Sequence, residues 1–148
     1  MSLAGAHRFP LRVYYEDTDA GGIVYYANYL NFAERARTEM LRDAGIEQER
    51  LRRDAGIGLV VRRAAIEFLR PARLDDVLTV TTRLAGRIGA TLDLAQEIAR
   101  GDAVLARLDV RVACVRADGR PTRLPQALTD AIATLLGDDS TMVHTHAR

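Results

Sequence analysis

The chain has 148 residues, and its 21 basic and 20 acidic residues give a net charge of +1. This balance gives no electrostatic reason for nucleic acid or an anionic membrane to be the main partner. Every basic residue is Arg, which excludes lysine-based chemistry such as a Schiff base or a phosphate-binding P-loop. The length suits one domain. We expect a single domain over residues 1–136 and a flexible tail over residues 137–148.

The cysteine content and the hydropathy pattern bear on the compartment in which the protein works. Cys114 is the one cysteine, so no intrachain disulfide can form, which suits a reducing compartment. No apolar run approaches the roughly 20 residues that span a bilayer. The N-terminal residues also lack the hydrophobic segment of a secretory signal. We therefore predict a cytoplasmic protein with no integral membrane segment.

The first half of the chain predicts a strand, a loop and a long helix. Apolar and polar side chains alternate over residues 8–16, which indicates a strand. Residues 17–22 form a loop, because Asp, Thr and two glycines break any periodicity. Asn28 is a suitable N-cap for a helix whose apolar residues recur at helical spacing, and Gly45 ends that helix. A short second helix is expected over residues 47–54.

The second half of the chain is mostly strand. β-branched and apolar residues are concentrated there, and Gly86 and Gly89 flank one predicted turn. We predict four strands and a final helix, over residues 58–69, 77–84, 91–100, 103–116 and 125–136. One long helix followed by several antiparallel strands predicts an α+β fold, in which the helix packs on a curved sheet.

The segment from Val13 to Leu41 carries the most specific signal. It contains V-Y-Y-E-D-T-D-A-G-G-I-V-Y-Y-A-N-Y-L, followed by a helix with E-R-A-R-T-E-M-L. This motif resembles the 4-hydroxybenzoyl-CoA thioesterase family, and most closely its YbgC-like branch, the acyl-CoA thioesterases associated with the Tol–Pal system. Further resemblance occurs at residues 60–62, 71–76 and 89–91.

The resemblance implies a hot-dog fold, in which a curved antiparallel sheet of about five strands wraps one long central helix. It implies hydrolysis of acyl-CoA to a free acid and CoA. Asp19 would attack the thioester carbonyl as a nucleophile, or would act as the general base that activates a water. The backbone N–H of Tyr26, close to the N-terminus of the long helix, would donate to the carbonyl oxygen. The YbgC-like branch commonly has His at this position, but any non-proline residue supplies a backbone N–H.

The resemblance also yields candidates for substrate binding. The two loop glycines allow the backbone to approach the substrate closely. A tyrosine near them lines an acyl or pantetheine channel or, alternatively, packs in the core. Arginines on the strands would contact the CoA phosphates, and the turn before residue 91 is where the family often contacts the nucleotide. The candidates are Gly21, Gly22, Tyr25, Arg62, Arg87, Gly89 and Thr91.

Several of these residues have a structural alternative. Asp19 could cap a turn, because Asp-Thr-Asp before two glycines is ordinary loop chemistry, and Asp17 is expected to be such a cap. Glu34 is either a second carboxylate near the site or part of a solvated helix face. We expect no metal, since Asn28 occupies the position of the bidentate Glu in a calcium loop. We expect no cofactor, because CoA is part of the substrate.

The resemblance further implies a homodimer or homotetramer, with active sites at the dimer interface. Acyl-carrier or phospholipid-synthesis proteins are candidate protein partners. Two other functions remain open. A hot-dog hydratase or dehydratase usually needs a second acid/base group, and no His lies between His7 and His144 to supply it. A non-catalytic acyl-thioester or protein-binding module is the other alternative, and the intact Asp19 argues against it.

Overall fold

The computed structural model describes residues 5–137. One five-stranded antiparallel sheet has the strand order β1-β3-β4-β5-β2, and a long helix packs against it. The strands are β1 (His7–Arg12), β2 (Ile57–Phe68), β3 (Val77–Ile88), β4 (Thr91–Arg100) and β5 (Ala103–Arg116). The helices are α1 (Asn28–Asp43), α2 (Gln48–Arg50, continued by a π-helical turn at Leu51–Ala55) and α3 (Gln126–Leu136). This architecture confirms the predicted α+β hot-dog fold.

The core lies between α1 and one face of the sheet. The buried residues of α1 recur every three or four positions, which places them on one stripe of the helix; they are Tyr29, Phe32, Ala33, Ala36, Met40 and Leu41. Every second residue of β4 is buried, so the sheet presents one face to that stripe. Each large apolar side chain buried in this way contributes about 1.5–3 kcal/mol to folding.

The first strand is shorter than predicted. The alternation over residues 8–16 indicated a strand, but β1 ends at Arg12 and a 3₁₀ turn occupies Tyr15–Asp17. The turn forms because the Asp17 carboxylate accepts the N–H of Tyr14 at 2.8 Å, which draws the chain out of the sheet. Local side-chain bonds of this kind compete with strand pairing, and alternation alone does not reveal them.

The N-cap assignment of Asn28 is wrong. Asn28 is already helical, and Ala27, the residue before it, has αR backbone angles and no side-chain cap. The Asn28 side-chain amide instead donates to the carbonyl oxygen of Asp17 at 2.9 Å. The amide therefore ties the start of α1 to the preceding loop. Gly45 does end the helix as predicted, with a φ of 84°.

The hairpin between β3 and β4 is longer than predicted. Gly86 was expected in a turn, but β3 continues to Ile88 with a shift in register between Leu84 and Gly86. Ile88 pairs with Thr91, so the turn consists of Gly89 and the residue after it. Gly89 has a φ of 57°, which suits a two-residue hairpin turn. A glycine in a strand pattern can thus indicate a bulge as well as a turn.

The ends of the described region add two observations. No helix within residues 5–137 is both long and apolar enough to cross a membrane. The predicted flexible tail over residues 137–148 lies outside the described residues, apart from Gly137, which follows α3 with a φ of 66°.

Candidate active site

The glycine-rich loop between β1 and α1 folds back on itself. Thr18 forms an antiparallel bridge with Val24, and the Asp19 N–H donates to the Ile23 carbonyl oxygen at 2.9 Å. Ile23 also bridges to Arg73, which precedes β3. The loop is therefore a small hairpin fixed to the segment before β3, and its backbone has a defined geometry.

One oxygen of the Asp19 carboxylate holds the group in place. Asp19 Oδ1 accepts the N–H of Gly21 at 2.8 Å and that of Ile23 at 3.4 Å. The residues that the structure describes form no hydrogen bond with Oδ2, and Asp19 is exposed. Gly22, with a φ of 80°, supplies the left-handed backbone that turns the hairpin. The carboxylate is thus oriented by the loop and still open to a substrate.

Asp17 differs from Asp19 in its burial and in the groups to which it bonds. It is 6% exposed, and its carboxylate caps the 3₁₀ turn through the N–H of Tyr14. Its carbonyl oxygen accepts the N–H of Tyr25 at 3.0 Å and the side chain of Asn28. Asp17 is therefore a structural residue, as predicted, that joins the loop to the start of α1.

The start of α1 leaves backbone donors available. The N–H of Asn28 bonds to the carbonyl oxygen of Tyr25 at 2.8 Å. The N–H groups of Tyr26 and Ala27 find no acceptor among residues 5–137. The helix dipole adds partial positive charge at this position. The Tyr26 N–H is therefore suitably exposed for the predicted oxyanion donor, and its role remains a prediction.

An aromatic cluster joins the start of α1 to the end of β2. The rings of Tyr25 and Tyr26 lie 4.9 Å apart, and Phe68 lies 6.2 Å from Tyr26 and 5.3 Å from Tyr29. Tyr29 is buried, and its hydroxyl oxygen accepts the N–H of Ala72 at 2.9 Å. Tyr25 is exposed, and a hydrogen bond with Tyr26 raises the pKa of its hydroxyl. The tyrosines are thus divided between core packing and the surface of the site.

The candidate CoA-binding residues do not lie near Asp19 within one chain. Leu74, just before β3, bonds to the loop through the carbonyl oxygen of Gly22. Arg87, Gly89 and Thr91 lie around the other end of β3, which is ~36 Å away at about 3.3 Å per residue. Arg62, the fourth of these candidates, lies midway along β2, where it is the extra residue of a β-bulge between Val61 and Arg63. Two separate regions of the chain therefore carry the predicted site residues.

An open cleft runs along α1 away from the loop. Its volume is about 500 Å³, which is in the range of small-molecule sites. Leu30 is the cleft residue of α1 closest to Tyr26, and β2 contributes Val60 and Val61 to the opposite wall. The walls are mostly apolar, and they include Glu34, which the sequence left open as either a site carboxylate or a solvated residue. Glu34 is exposed on α1 and lines the cleft, and its role in the site stays a prediction.

A hydrogen-bonded pair at the wall of the cleft, buried Gln96 and partly buried Arg37, was missed at the level of sequence. Gln96 is 2% exposed, and its Oε1 accepts a hydrogen bond from Arg37 at 3.0 Å. A signal was present, because Gln96 occupies an inward position of β4 between Leu94 and Ile98. A buried amide in an apolar register needs a partner, and here the partner comes from α1.

Comparison with known proteins identifies the family. The model of the thioesterase-like superfamily matches residues 13–132. The chain belongs to the thioesterase-like superfamily. The match includes the Asp19 loop, all of α1 and four of the five strands.

Two named relatives and one solved structure of a probable thioesterase match most of this chain. The acyl-CoA thioesterase YbgC of Haemophilus influenzae is 48% identical over 107 residues, which are 72% of this chain and 79% of that protein. The acyl-CoA thioester hydrolase YbgC of Escherichia coli O6:H1 is 43% identical over 123 residues, covering 82% of this chain and 91% of that protein. The structure of a probable thioesterase from Bartonella henselae superposes with a TM-score of 0.77 at 41% identity, covering 81% of this chain and 99% of that one. These relatives confirm the predicted YbgC-like resemblance.

Proposed function

We propose that the chain is an acyl-CoA thioester hydrolase in which Asp19 carries the chemistry. The observation that supports this most strongly is the state of the Asp19 carboxylate. Backbone N–H groups hold one oxygen, and the other forms no hydrogen bond with residues 5–137 at an exposed position of the loop. The names of the YbgC relatives supply the reaction class.

Two routes are consistent with this arrangement. In the first, Asp19 attacks the thioester carbonyl carbon, the C–S bond breaks, CoA leaves as the thiolate, and water then hydrolyses the mixed anhydride. In the second, Asp19 accepts a proton from a water that attacks the same carbon. A thiolate is a good leaving group, so a carboxylate is sufficient for either route. The Tyr26 N–H would stabilise the charge on the carbonyl oxygen, and a donor of this kind is typically worth about 3 kcal/mol.

The cleft along α1 is the proposed position of the acyl group. It starts at Leu30, one helical turn from Tyr26, so a thioester carbonyl at the Tyr26 N–H could extend its acyl chain into the cleft. Apolar walls suit a hydrocarbon chain, because burial releases water from both surfaces. The CoA portion would remain outside the cleft.

We further propose that the working unit is a homodimer. β2 is an edge strand, and the exposed apolar residues along it and around α1 include Val60, Val61, Phe68, Tyr26 and Leu30. Such a patch on an edge strand is typical of an interface. Pairing between copies would also allow the Arg87–Thr91 hairpin of one copy to approach the Asp19 loop of the other. A homotetramer would then be a pair of such dimers.

A Val61→Arg variant tests the dimer. The charge would lie in the middle of the exposed edge of β2, so we expect a monomer by light scattering. Arg83→Ala on β3, an exposed residue three strands away from β2, is the control and should stay dimeric. A wild-type chain that is monomeric and fully active would contradict the proposal.

The proposal extends to the cellular setting. Acyl-CoA is made and consumed in the cytoplasm, which is where we place the protein. Association with the Tol–Pal system, and with acyl-carrier or phospholipid-synthesis proteins, rests on the resemblance to the YbgC-like branch. Cell fractionation followed by co-purification with tagged protein would test both statements.

Thiol release from a panel of short-chain, long-chain and aromatic acyl-CoA substrates tests the reaction itself. We expect turnover by the wild type and a loss of at least 100-fold in the Asp19→Asn variant, the lower range for a lost acid/base group. If the wild type releases no thiol from any substrate but binds acyl-CoA, the chain is an acyl-thioester-binding module. Formation of a hydrated acyl-CoA in place of free acid would instead identify a hydratase.

A further inference from the structure

The acyl cleft contains a polar band that divides it. The band consists of Asn31, Glu34, Arg37 and Thr38, which lie within about two turns of α1. On the side toward the Asp19 loop, the cleft residue of α1 is the apolar Leu30. On the far side the cleft continues to Met40. The α1 wall of the cleft is therefore apolar at its start, polar in the middle and apolar again at its far end.

Arg37 is fixed within this band. Its Nη1 donates to Gln96 Oε1 at 3.0 Å, and Gln96 Nε2 donates to the carbonyl oxygen of Ala33 at 3.1 Å and to Thr82 Oγ1 at 3.0 Å. These bonds connect α1, β3 and β4 through a side chain that is 2% exposed. Because Gln96 cannot move without breaking buried hydrogen bonds, the guanidinium has a defined position.

The charge of Arg37 is only partly compensated. A guanidinium has five N–H donors, and the residues that the structure describes accept one bond from Arg37. Burial lowers the pKa of Arg37, and the charge of Glu34 opposes that effect. No ion pair joins Arg37 to Glu34 within hydrogen-bonding distance among residues 5–137. The remaining donors of Arg37 therefore depend on water in the cleft.

Water bound to these N–H donors limits the affinity that an alkyl chain can gain by entering the cleft. A chain that ends before the guanidinium buries methylene groups against apolar walls, at about 0.8 kcal/mol or a fourfold gain in affinity for each one. A chain that passes it must remove water from unbonded N–H groups and offers no acceptor in exchange. The gain per methylene should therefore stop at the guanidinium of Arg37.

We infer that Arg37, held by Gln96, sets the maximum length of the acyl chain that this protein binds with full affinity. This inference rests on the proposed acyl-CoA site. Arg37 lies ~16 Å along the helix axis from Tyr26, and its side chain leans about one turn back toward the N-terminus. A zigzag of ~1.5 Å C–C bonds then reaches the guanidinium after about eight carbons.

Binding of S-alkyl-CoA thioethers with progressively longer chains tests this inference without requiring turnover. For the wild type, calorimetry should give an affinity that rises about fourfold per methylene and stops rising near eight carbons. In Arg37→Met the rise should continue into the part of the cleft at Met40, so that each further pair of carbons adds about 16-fold. In Arg37→Lys the affinity should again stop rising near eight carbons, because lysine keeps a cation at that position.

The control for Arg37→Met is the same substitution at a neighbouring arginine outside the cleft. Arg35→Met makes the same change on the exposed face of α1 and should keep the wild-type profile. The slope of affinity against chain length is compared within each variant, so a change in stability does not imitate the effect. The inference is overturned if the affinity of Arg37→Met stops rising at the same chain length as that of the wild type, or if wild-type affinity does not depend on chain length. Absence of turnover, by contrast, would remove only the proposed hydrolysis.

Discussion

Replacement of Asp19 by Asn should separate the chemical role of this residue from its structural one. The Asn side chain retains an oxygen that can accept the N–H groups of Gly21 and Ile23, now bonded at 2.8 and 3.4 Å. We therefore expect the free energy of unfolding to change by less than about 0.5 kcal/mol. The charge and the nucleophilic oxygen are lost, so kcat/KM should fall by about 100- to 10,000-fold.

The alanine variant provides the structural comparison. Asp19→Ala removes both loop hydrogen bonds, of which the 3.4 Å bond is long and weak. The group is exposed, so the cost should be about 1 kcal/mol. Asp17→Ala should show the opposite balance. Its carboxylate is buried, so the N–H of Tyr14 would lose its acceptor at a cost of about 1–3 kcal/mol.

Urea denaturation and thiol release on the same three variants check these expectations. Substitution of Asp17 should mainly lower stability, and substitution of Asp19 should mainly lower activity. An Asp19→Asn protein that is as stable as the wild type and equally active would refute the assignment of Asp19. Equal losses of stability in Asp19→Asn and Asp19→Ala would show that the charge, and not the hydrogen-bond geometry, holds the loop.

Three other predictions concern the framework around the site. Gly22→Ala should lower stability by about 1 kcal/mol in urea denaturation, because φ is 80° and the added Cβ would meet no neighbouring atom of residues 5–137 within 4 Å. Tyr29→Phe should cost about 1–3 kcal/mol by the same assay, since the N–H of buried Ala72 loses its acceptor. A hydrogen bond from Arg111 lowers the pKa of Asp93. The pair should therefore stabilise the protein fully at pH values above the ordinary Asp pKa of about 3.9, and this stabilisation should be lost as the pH falls through the lowered pKa. At neutral pH the free energy of unfolding of the wild type should exceed that of Asp93→Asn by less than about 1 kcal/mol, because both side chains of the pair are partly exposed. The difference should vanish when urea denaturation is repeated below the lowered pKa of Asp93.

Local patterns in the sequence were sufficient for much of the fold. The apolar periodicity of α1 and the β-branched runs of the later strands predicted the elements that the structure shows. Two of the errors fall where a side chain bonds to backbone that is close in the fold. Asp17 shortened β1, and Asn28 bonded to the loop instead of capping the helix. Such bonds depend on three-dimensional proximity, so periodicity cannot reveal them.

The motif around Asp19 predicted the family, and the match over residues 13–132 confirmed it. The sequence alone thus determined the fold class, the carboxylate of interest and the glycines that shape its loop, because these depend on residues close together in the chain. Only the tertiary structure distinguished buried Asp17 from exposed Asp19. It also separated the Arg87–Thr91 hairpin from the loop and joined Arg37 to Gln96 across 59 positions. Those relations are set by how the strands and α1 pack, which is a property of the whole chain.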